Sequence, residues 1–294
     1  MRKTTWLEVA VNGPWGRDTQ PLIPITVDDI VAQGIACAKE GAAIIHVHAY
    51  DVTTGRQKDD PDIYARIIEG IRAKVDVIVY PTLPFVGSVD LPIICTPQER
   101  FAAVEELSRR GLLEWSVVDP GSCNFALFSD IEQDKLGFVY PNPETHLRHG
   151  LALAQRYAFA PSYAIYEPGF IRLGAALARR YPGARQAVYR LMFSNQYTFG
   201  FPPEAYGIDS YRHMLEAEVP GAPWMVSGLG VDLRKVLPYA LEAGAHVRVG
   251  LEDAPLGTDR PNLAWVRDAV KAVAAAGKSL ATVEEVRASL PVRP

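Results

Sequence analysis

The chain has 294 residues, 48% hydrophobic and 22% charged, with a formal net charge of −4. That composition supports a large apolar core, and its mild acidity excludes a nucleic-acid or anionic-membrane surface as the main partner. No apolar run nears the roughly 18 residues of a membrane span. The opening MRKTTWLEVAVNG leads into a strand-like segment without the apolar core of a signal peptide. Three widely spaced cysteines, Cys37, Cys95 and Cys123, with no C-x-x-C pair, fit a reduced, cytoplasmic protein better than a secreted disulfide framework.

Taken in chain order, short β-rich runs alternate with longer helical patterns. The expected strands are Trp6–Val11, Ala43–His48, Val77–Tyr80, Trp115–Val118, Tyr163–Tyr166, Ala187–Met192, Trp224–Ser227 and His246–Val249. Between them fall helices over Val27–Lys39, Pro61–Ala73, Pro97–Arg110, Glu144–Tyr157, Ile171–Tyr181, Tyr206–Ala217 and Leu233–Glu242, followed by Asn262–Ala275 and Val283–Leu290. Thr26 before Val27-Asp28-Asp29-Ile30 is a favourable helix start, with acidic side chains in the first turn. Gly41, Gly111 and Gly244 each close a helix just before the next strand.

Eight strands alternating with helices in one unbroken chain predict a (β/α)8 barrel of the TIM type. With no linker and no shift of composition, residues 1–294 read as a single domain with a C-terminal helical extension from about residue 280. A doubly wound sheet is disfavoured, because the glycine-rich G-x-G-x-x-G turn after the first strand is absent. The longer connections, Pro81–Cys95, Asp119–Pro143 and Ser194–Glu204, all follow strand C-termini, the barrel face where active sites are built.

That face collects Asn12, His46 and His48, Thr82, Asp119 with Ser122, Glu167, Ser194, Ser227 and the cluster Arg248–Asp253. Histidines two apart on a strand point the same way, about 7 Å apart along it. Their ring nitrogens can tilt onto one cation. Across the mouth, VRVGLED puts an arginine inside an apolar strand, costly to bury unless a carboxylate meets it. Of Glu252 and Asp253, one carboxylate with the two histidines makes a three-ligand site with an open position, the pattern of catalytic zinc. The other, held by Arg248, could act as a general base. The structural alternative is an ion pair that closes the barrel. A metal hydrolase of the amidohydrolase type also uses H-x-H, but with further histidines at the ends of strands five and six, where this chain has Glu167 and Ser194. His146, His149, His213 and His246 read as surface or structural residues.

These residues resemble the beta-keto acid cleavage enzymes. The carrying segments are Val11-Asn12-Gly13, GAAIIHVHAYD (Gly41–Asp51), DPGSCNF (Asp119–Phe125), VSGLG (Val226–Gly230), GAHVRVGLED (Gly244–Asp253) and the tail Asn262–Leu290. The resemblance implies a TIM barrel with one divalent metal, usually zinc, that condenses a beta-keto acid with acetyl-CoA. The products would be acetoacetate and a new acyl-CoA, formed by a retro-Claisen break. It implies His46, His48 and Glu252 as metal ligands, Arg248 and Asp253 as the dyad generating the nucleophile, and a homotetrameric assembly. Glu167 is the further catalytic candidate. Asn12, Tyr50, Thr82, Asp119, Ser122 and Ser227 are candidates for substrate contact.

Three departures from the family pattern point to an unusual substrate. Ala49-Tyr50 stand where the family commonly has Pro-Arg. Ala164 stands where strand five often has glutamate, with Glu167 three residues on. The loop YPTLPFVG leaves Thr82 as its one obvious polar side chain, with Phe85 and Val86 making that side apolar. The aromatic segment Met192–Pro203 would contact CoA, fold over a hydrophobic substrate or pack at a subunit interface. The rival readings are an aldolase or hydrolase using the same metal without CoA, and a metal-stabilised barrel that only binds a small molecule.

Overall fold

The computed structural model describes residues 4–84 and 95–292. Eight parallel strands form one sheet, nearly closed into a barrel: β1 (Leu7–Ala10), β2 (Ile44–Val47), β3 (Ile78–Pro81), β4 (Trp115–Val117), β5 (Ala160–Ile165), β6 (Val188–Phe193), β7 (Trp224–Gly228) and β8 (His246–Val249). Hydrogen bonding runs in the order β3-β2-β1-β8-β7-β6-β5-β4. The β3/β4 seam is filled by the Tyr80 and Trp115 rings, 5.8 Å apart. Every residue of these strands is buried. Helices therefore cover one face and packed side chains the other, which is why the strands read as continuous apolar runs rather than alternating ones. Against that background Glu8, His46, Arg190, His246 and Arg248 stand out as charged or titratable residues inside strands.

The helices are α1 (Val27–Lys39), α2 (Pro61–Arg72), α3 (Pro97–Arg109), α4 (Glu144–Tyr157), α5 (Pro168–Ala178), α6 (Ala205–Glu218), α7 (Leu237–Glu242), α8 (Asn262–Ala275) and α9 (Val283–Ala288). Thr26 caps α1, its hydroxyl accepting the Asp29 N–H at 3.1 Å, as its sequence position predicts. Two boundaries move for identifiable reasons. α5 begins three residues before the expected Ile171 because Pro168, which lacks an N–H, suits the first helical turn. The stretch expected as one helix over Leu233–Glu242 is a 3-10 turn, Leu233–Lys235, then α7, since Pro238 cannot donate back into a continuous helix. None of the helices among the described residues is long and apolar enough to cross a membrane.

Short elements outside the barrel shape its mouth. Tyr50–Asp51 pairs antiparallel with Arg56–Gln57, and Cys123–Phe125 with Phe138–Tyr140. Both hairpins follow barrel strands and bring Gln57 and Tyr140 toward the centre. At the other end, Ser279–Leu280 pairs in parallel with Thr4–Thr5. Arg287 on α9 then binds Asp76 at 2.8 Å and Glu114 at 2.6 Å. Of the other histidines, His246 accepts the Trp6 N–H at 3.0 Å and stacks on its ring, a structural role.

Candidate metal centre and reaction chamber

Glu252 reaches the end of β2 because the chain turns sharply after β8. Gly250 holds φ +133, and Glu252 then donates its N–H to the Ala10 carbonyl at 3.3 Å. A Cβ on Gly250 would meet that same oxygen at 2.1 Å, so no other residue fits. Gly13, at φ +79, lies against Glu252 in the same way; a Cβ there would meet the Glu252 Cγ at 2.6 Å.

His46 and His48, as their spacing predicts, turn toward one point. Their Nε2 atoms each lie 3.4 Å from Glu252 Oε2. Tetrahedral ligands at about 2.1 Å from zinc stand about 3.4 Å from one another, so both histidine–carboxylate separations match a coordination edge, and all three atoms lie within 4.8 Å of one another. Their protonation fits as well. Burial drives the His46 imidazole well below its ordinary pKa, leaving a lone pair free. Burial opposes ionisation of Glu252, but Arg248, His46 and His48 together hold its carboxyl well below the usual carboxylate range. His48 Nε2 and Glu252 Oε2 are buried without a hydrogen-bond partner. Such unsatisfied acceptors are expensive unless a cation meets them.

The surroundings fix the ligands. His48 Nδ1 faces Gln57 Oε1 at 2.7 Å, and Gln57 donates to both oxygens of Asp59 at 3.0 and 2.8 Å. Tyr64 donates to Asp59 at 2.7 Å. This chain selects the His48 tautomer that leaves Nε2 as the ligand. Asn12 uses all its bonding capacity on the backbone. It accepts the His48 and Gly13 N–H groups at 2.9 and 3.1 Å, and donates to the His48 and Pro24 carbonyls at 2.9 and 3.0 Å. Arg248 binds Asp253 through two nitrogens at 2.8–3.1 Å, Glu252 at 3.0 Å and Glu8 at 3.2 Å. Burial pushes Asp253 up to about 6, against the pull of Arg248.

A sequence model of the beta-keto acid cleavage enzymes matches residues 4–292. The chain belongs to the beta-keto acid cleavage enzyme family. It is 28% identical to a 3-oxoadipate:acetyl-CoA acetyltransferase of Cupriavidus necator, over 97% of this chain and 93% of that protein. It is also 28% identical to a 3-keto-5-aminohexanoate cleavage enzyme of Fusobacterium nucleatum, over 94% and 93%. Among solved structures, apo ObcA matches with a TM-score of 0.70 at 15% identity, a likeness of fold; the match covers 92% of this chain and 65% of that one.

In this member of the family the three candidate ligand residues line a cavity of about 100 Å³. Of the other residues expected at the site, Thr82 and Asp119 line it too. The rest build its frame. The Tyr50 hydroxyl sits between the Gly13 and Trp15 carbonyls, and Ser122 accepts the Asn142 N–H at 2.7 Å. Glu167 accepts the Gly200 N–H at 3.2 Å. Ser194 accepts the N–H groups of Gln196 and Tyr197, which seats Tyr197 on the cavity wall. Ser227 is wholly buried in β7. Arg248 and Asp253 stand behind Glu252 rather than on the wall. Phe85 and Val86 lie outside the described residues.

Arg190, also on the wall, went unnoticed in the sequence. The signal was the same one that exposed Arg248, an arginine within an apolar strand, here VYRLMF. It is 3% exposed, its Nε has no hydrogen-bond partner, and one Nη lies 3.4 Å from Asp119. Asp119 also accepts the Ala164 N–H and the Tyr140 hydroxyl, each at 2.7 Å.

Proposed function

We propose that the protein transfers the acyl group of a beta-keto acid to CoA at the expense of acetyl-CoA, releasing acetoacetate, with a divalent metal held by His46, His48 and Glu252. The observation behind this reading is the spacing of those three ligand atoms beside the cavity of a family member. Zinc is the proposed ion, from the donor set, and a cytoplasmic homotetramer of single-domain chains the proposed form. When bound, such an ion would polarise the substrate's keto oxygen and stabilise enolate charge.

The chain's own residues supply the rest of the proposal. Arg190, with an unpartnered Nε, receives the substrate carboxylate, while Thr82 and Asp119 border the same space. Asp253, behind Glu252 and off the cavity wall, is the proposed acceptor of a proton from C2, the carbon between the two carbonyls, carried to it by a water; its raised pKa, about 6, suits that exchange near neutral pH. Arg248 keeps Asp253 and Glu252 in register. The C2 carbanion attacks the acetyl carbonyl carbon and the CoA thiolate leaves. The thiolate then attacks the former keto carbon, the old C2–C3 bond breaks, and its electron pair at C2 recovers the proton. R–CO–CH2–COO⁻ and acetyl-CoA thus become R–CO–SCoA and acetoacetate. Glu167 anchors the segment that presents Tyr197. Asn12, Tyr50, Ser122 and Ser227 serve substrate contact indirectly, through the frame.

The test is acetoacetate formation from short beta-keto acids with and without acetyl-CoA. Formation only with acetyl-CoA is expected; cleavage without it would favour the aldolase or hydrolase reading. His46→Ala is expected to lose the metal. Asp253→Asn is expected to keep the metal and lose turnover by about a hundredfold or more. Loss of metal from Asp253→Asn would reduce Asp253 to a support of Glu252.

A further inference from the structure

Resting on the proposed keto-acid cleavage, the walls of the chamber carry the reading one step further, to the group borne on the keto carbon. We infer that this group is uncharged and apolar, a short alkyl or aryl substituent.

The first observation is where the charges lie. Among the described residues lining the cavity, the carboxylates, imidazoles and cations are His46, His48, Glu252, Asp119 and Arg190. The first three form the ligand cluster. Arg190 lines the same cavity, 3.4 Å from Asp119. A beta-keto acid's head group, its keto oxygen and C1 carboxylate, accounts for the metal ligands and Arg190 together.

The second is the state of Asp119. Its two oxygens already accept from Ala164, Tyr140 and Arg190. A substrate ammonium would find the charge of that carboxylate already shared with the Arg190 guanidinium, and would have to approach this buried cation. Once the head group holds Arg190, a second carboxylate has no cation among the described lining residues. Either charge would lose its water without recovering a partner.

The third is what the remaining wall is made of. Trp15, Phe125, Phe138, Tyr140, Tyr166 and Tyr197 make up most of the wall besides those charged groups. They hold one another in place. Phe125 meets Phe138 in a stack at 5.3 Å, Tyr166 edge-on at 4.9 Å and Tyr197 edge-on at 5.8 Å. Trp15 stacks with Tyr197 at 6.4 Å. Aromatic faces can attract cations, but here a buried arginine and a metal centre share the chamber, and both oppose one. An apolar group gains contact with these rings.

A matched six-carbon series tests this: 3-oxohexanoate, 3-oxoadipate and 6-amino-3-oxohexanoate differ only at the far end. Calorimetric titration of the metal-loaded protein without acetyl-CoA measures binding independently of turnover, and kcat/KM with acetyl-CoA measures its use. 3-Oxohexanoate is expected to bind and react at least tenfold better than either charged acid. Tighter binding of either charged acid, or no binding by any of the three, overturns the inference. If the expected binding order is found but none yields acetoacetate, the cleavage reading fails while the pocket assignment stands. Phe138→Arg, at a half-exposed wall position where the fold can be checked by circular dichroism, is expected to weaken 3-oxohexanoate at least fivefold and improve 3-oxoadipate. Unchanged affinity for 3-oxohexanoate in the folded variant would also overturn it.

Discussion

Replacing Gly250 with alanine tests the link between backbone geometry and the metal centre. Gly250 sits at φ +133, and an added Cβ would stand 2.1 Å from the Ala10 carbonyl oxygen, nearly an ångström inside the 3.0 Å floor that real Cβ contacts respect. Holding alanine in a backbone region reserved for glycine costs about 1–3 kcal/mol. Forcing a carbon into the packed β1 backbone costs about as much again, so the loss is about 4 kcal/mol in all. The collision can be relieved by lifting the turn away from β1. That movement breaks the Glu252 N–H bond to Ala10 and withdraws the Glu252 carboxylate from His46 and His48. We therefore expect the thermal midpoint to fall by about 8 °C, at roughly 2 °C per kcal/mol for a chain of this size. Metal affinity should fall at least tenfold, as it does when the support of a ligand is lost. Differential scanning fluorimetry reads the first effect and competition with a chromogenic chelator the second. A Gly250→Ala protein with a wild-type midpoint and wild-type metal affinity would refute the argument that this turn positions Glu252.

Two further perturbations probe separate parts of the molecule. Gln57→Leu removes the acceptor of the His48 Nδ1 proton and leaves Asp59 without its Gln57 donor; metal affinity should drop about 10–100-fold with the fold intact, and an unchanged chelator titration would contradict the tautomer argument. Arg287→Ala unties α9 from Asp76 and Glu114 and should cost about 1 kcal/mol in urea unfolding, a modest value because the pairs are part-exposed and screened. The hydrogen bond from Arg287 holds the Asp76 carboxyl below its ordinary pKa. Its increment is therefore fully present above the ordinary carboxylate pKa and is lost as pH falls through the lowered one. The gap between wild type and Arg287→Ala should narrow in acid, and a gap independent of pH would assign the loss to packing alone.

The barrel was legible because its signals are local. An apolar run such as Ala43–His48, closed behind a helix by Gly41, is a strand wherever it is met, and eight such runs alternating with helices leave few topologies. The metal ligands were half legible. The H-x-H spacing and the carboxylates after Gly250 were visible, but the residues alone left Glu252 and Asp253 interchangeable. Their roles differ in the structure because Arg248 reaches both while only Glu252 meets the histidines. The Leu233–Glu242 helix failed at Pro238 because apolar periodicity outweighed one missing donor in the reading. Thr82 and Asp119 were found as wall residues through their position after strand ends. Asn12 and Ser122 were read as facing substrate on the same grounds, and Tyr50 from its place in the family pattern; in the structure each bonds its polar atoms to neighbouring backbone.

By itself, then, the sequence determined the alternation of strands and helices, the end of the barrel that bears the site, and the histidine pair at the end of one strand. Each of these follows from periodicity and near-neighbour chemistry. Tertiary structure alone decided which carboxylate faces the histidines, that Arg190 stands on the chamber wall beside Asp119, and that six aromatic rings from five separate places in the chain line one space. Those outcomes depend on contacts between residues tens to hundreds of positions apart. They are set by barrel closure and by the glycine turn after β8, and no local pattern encodes them.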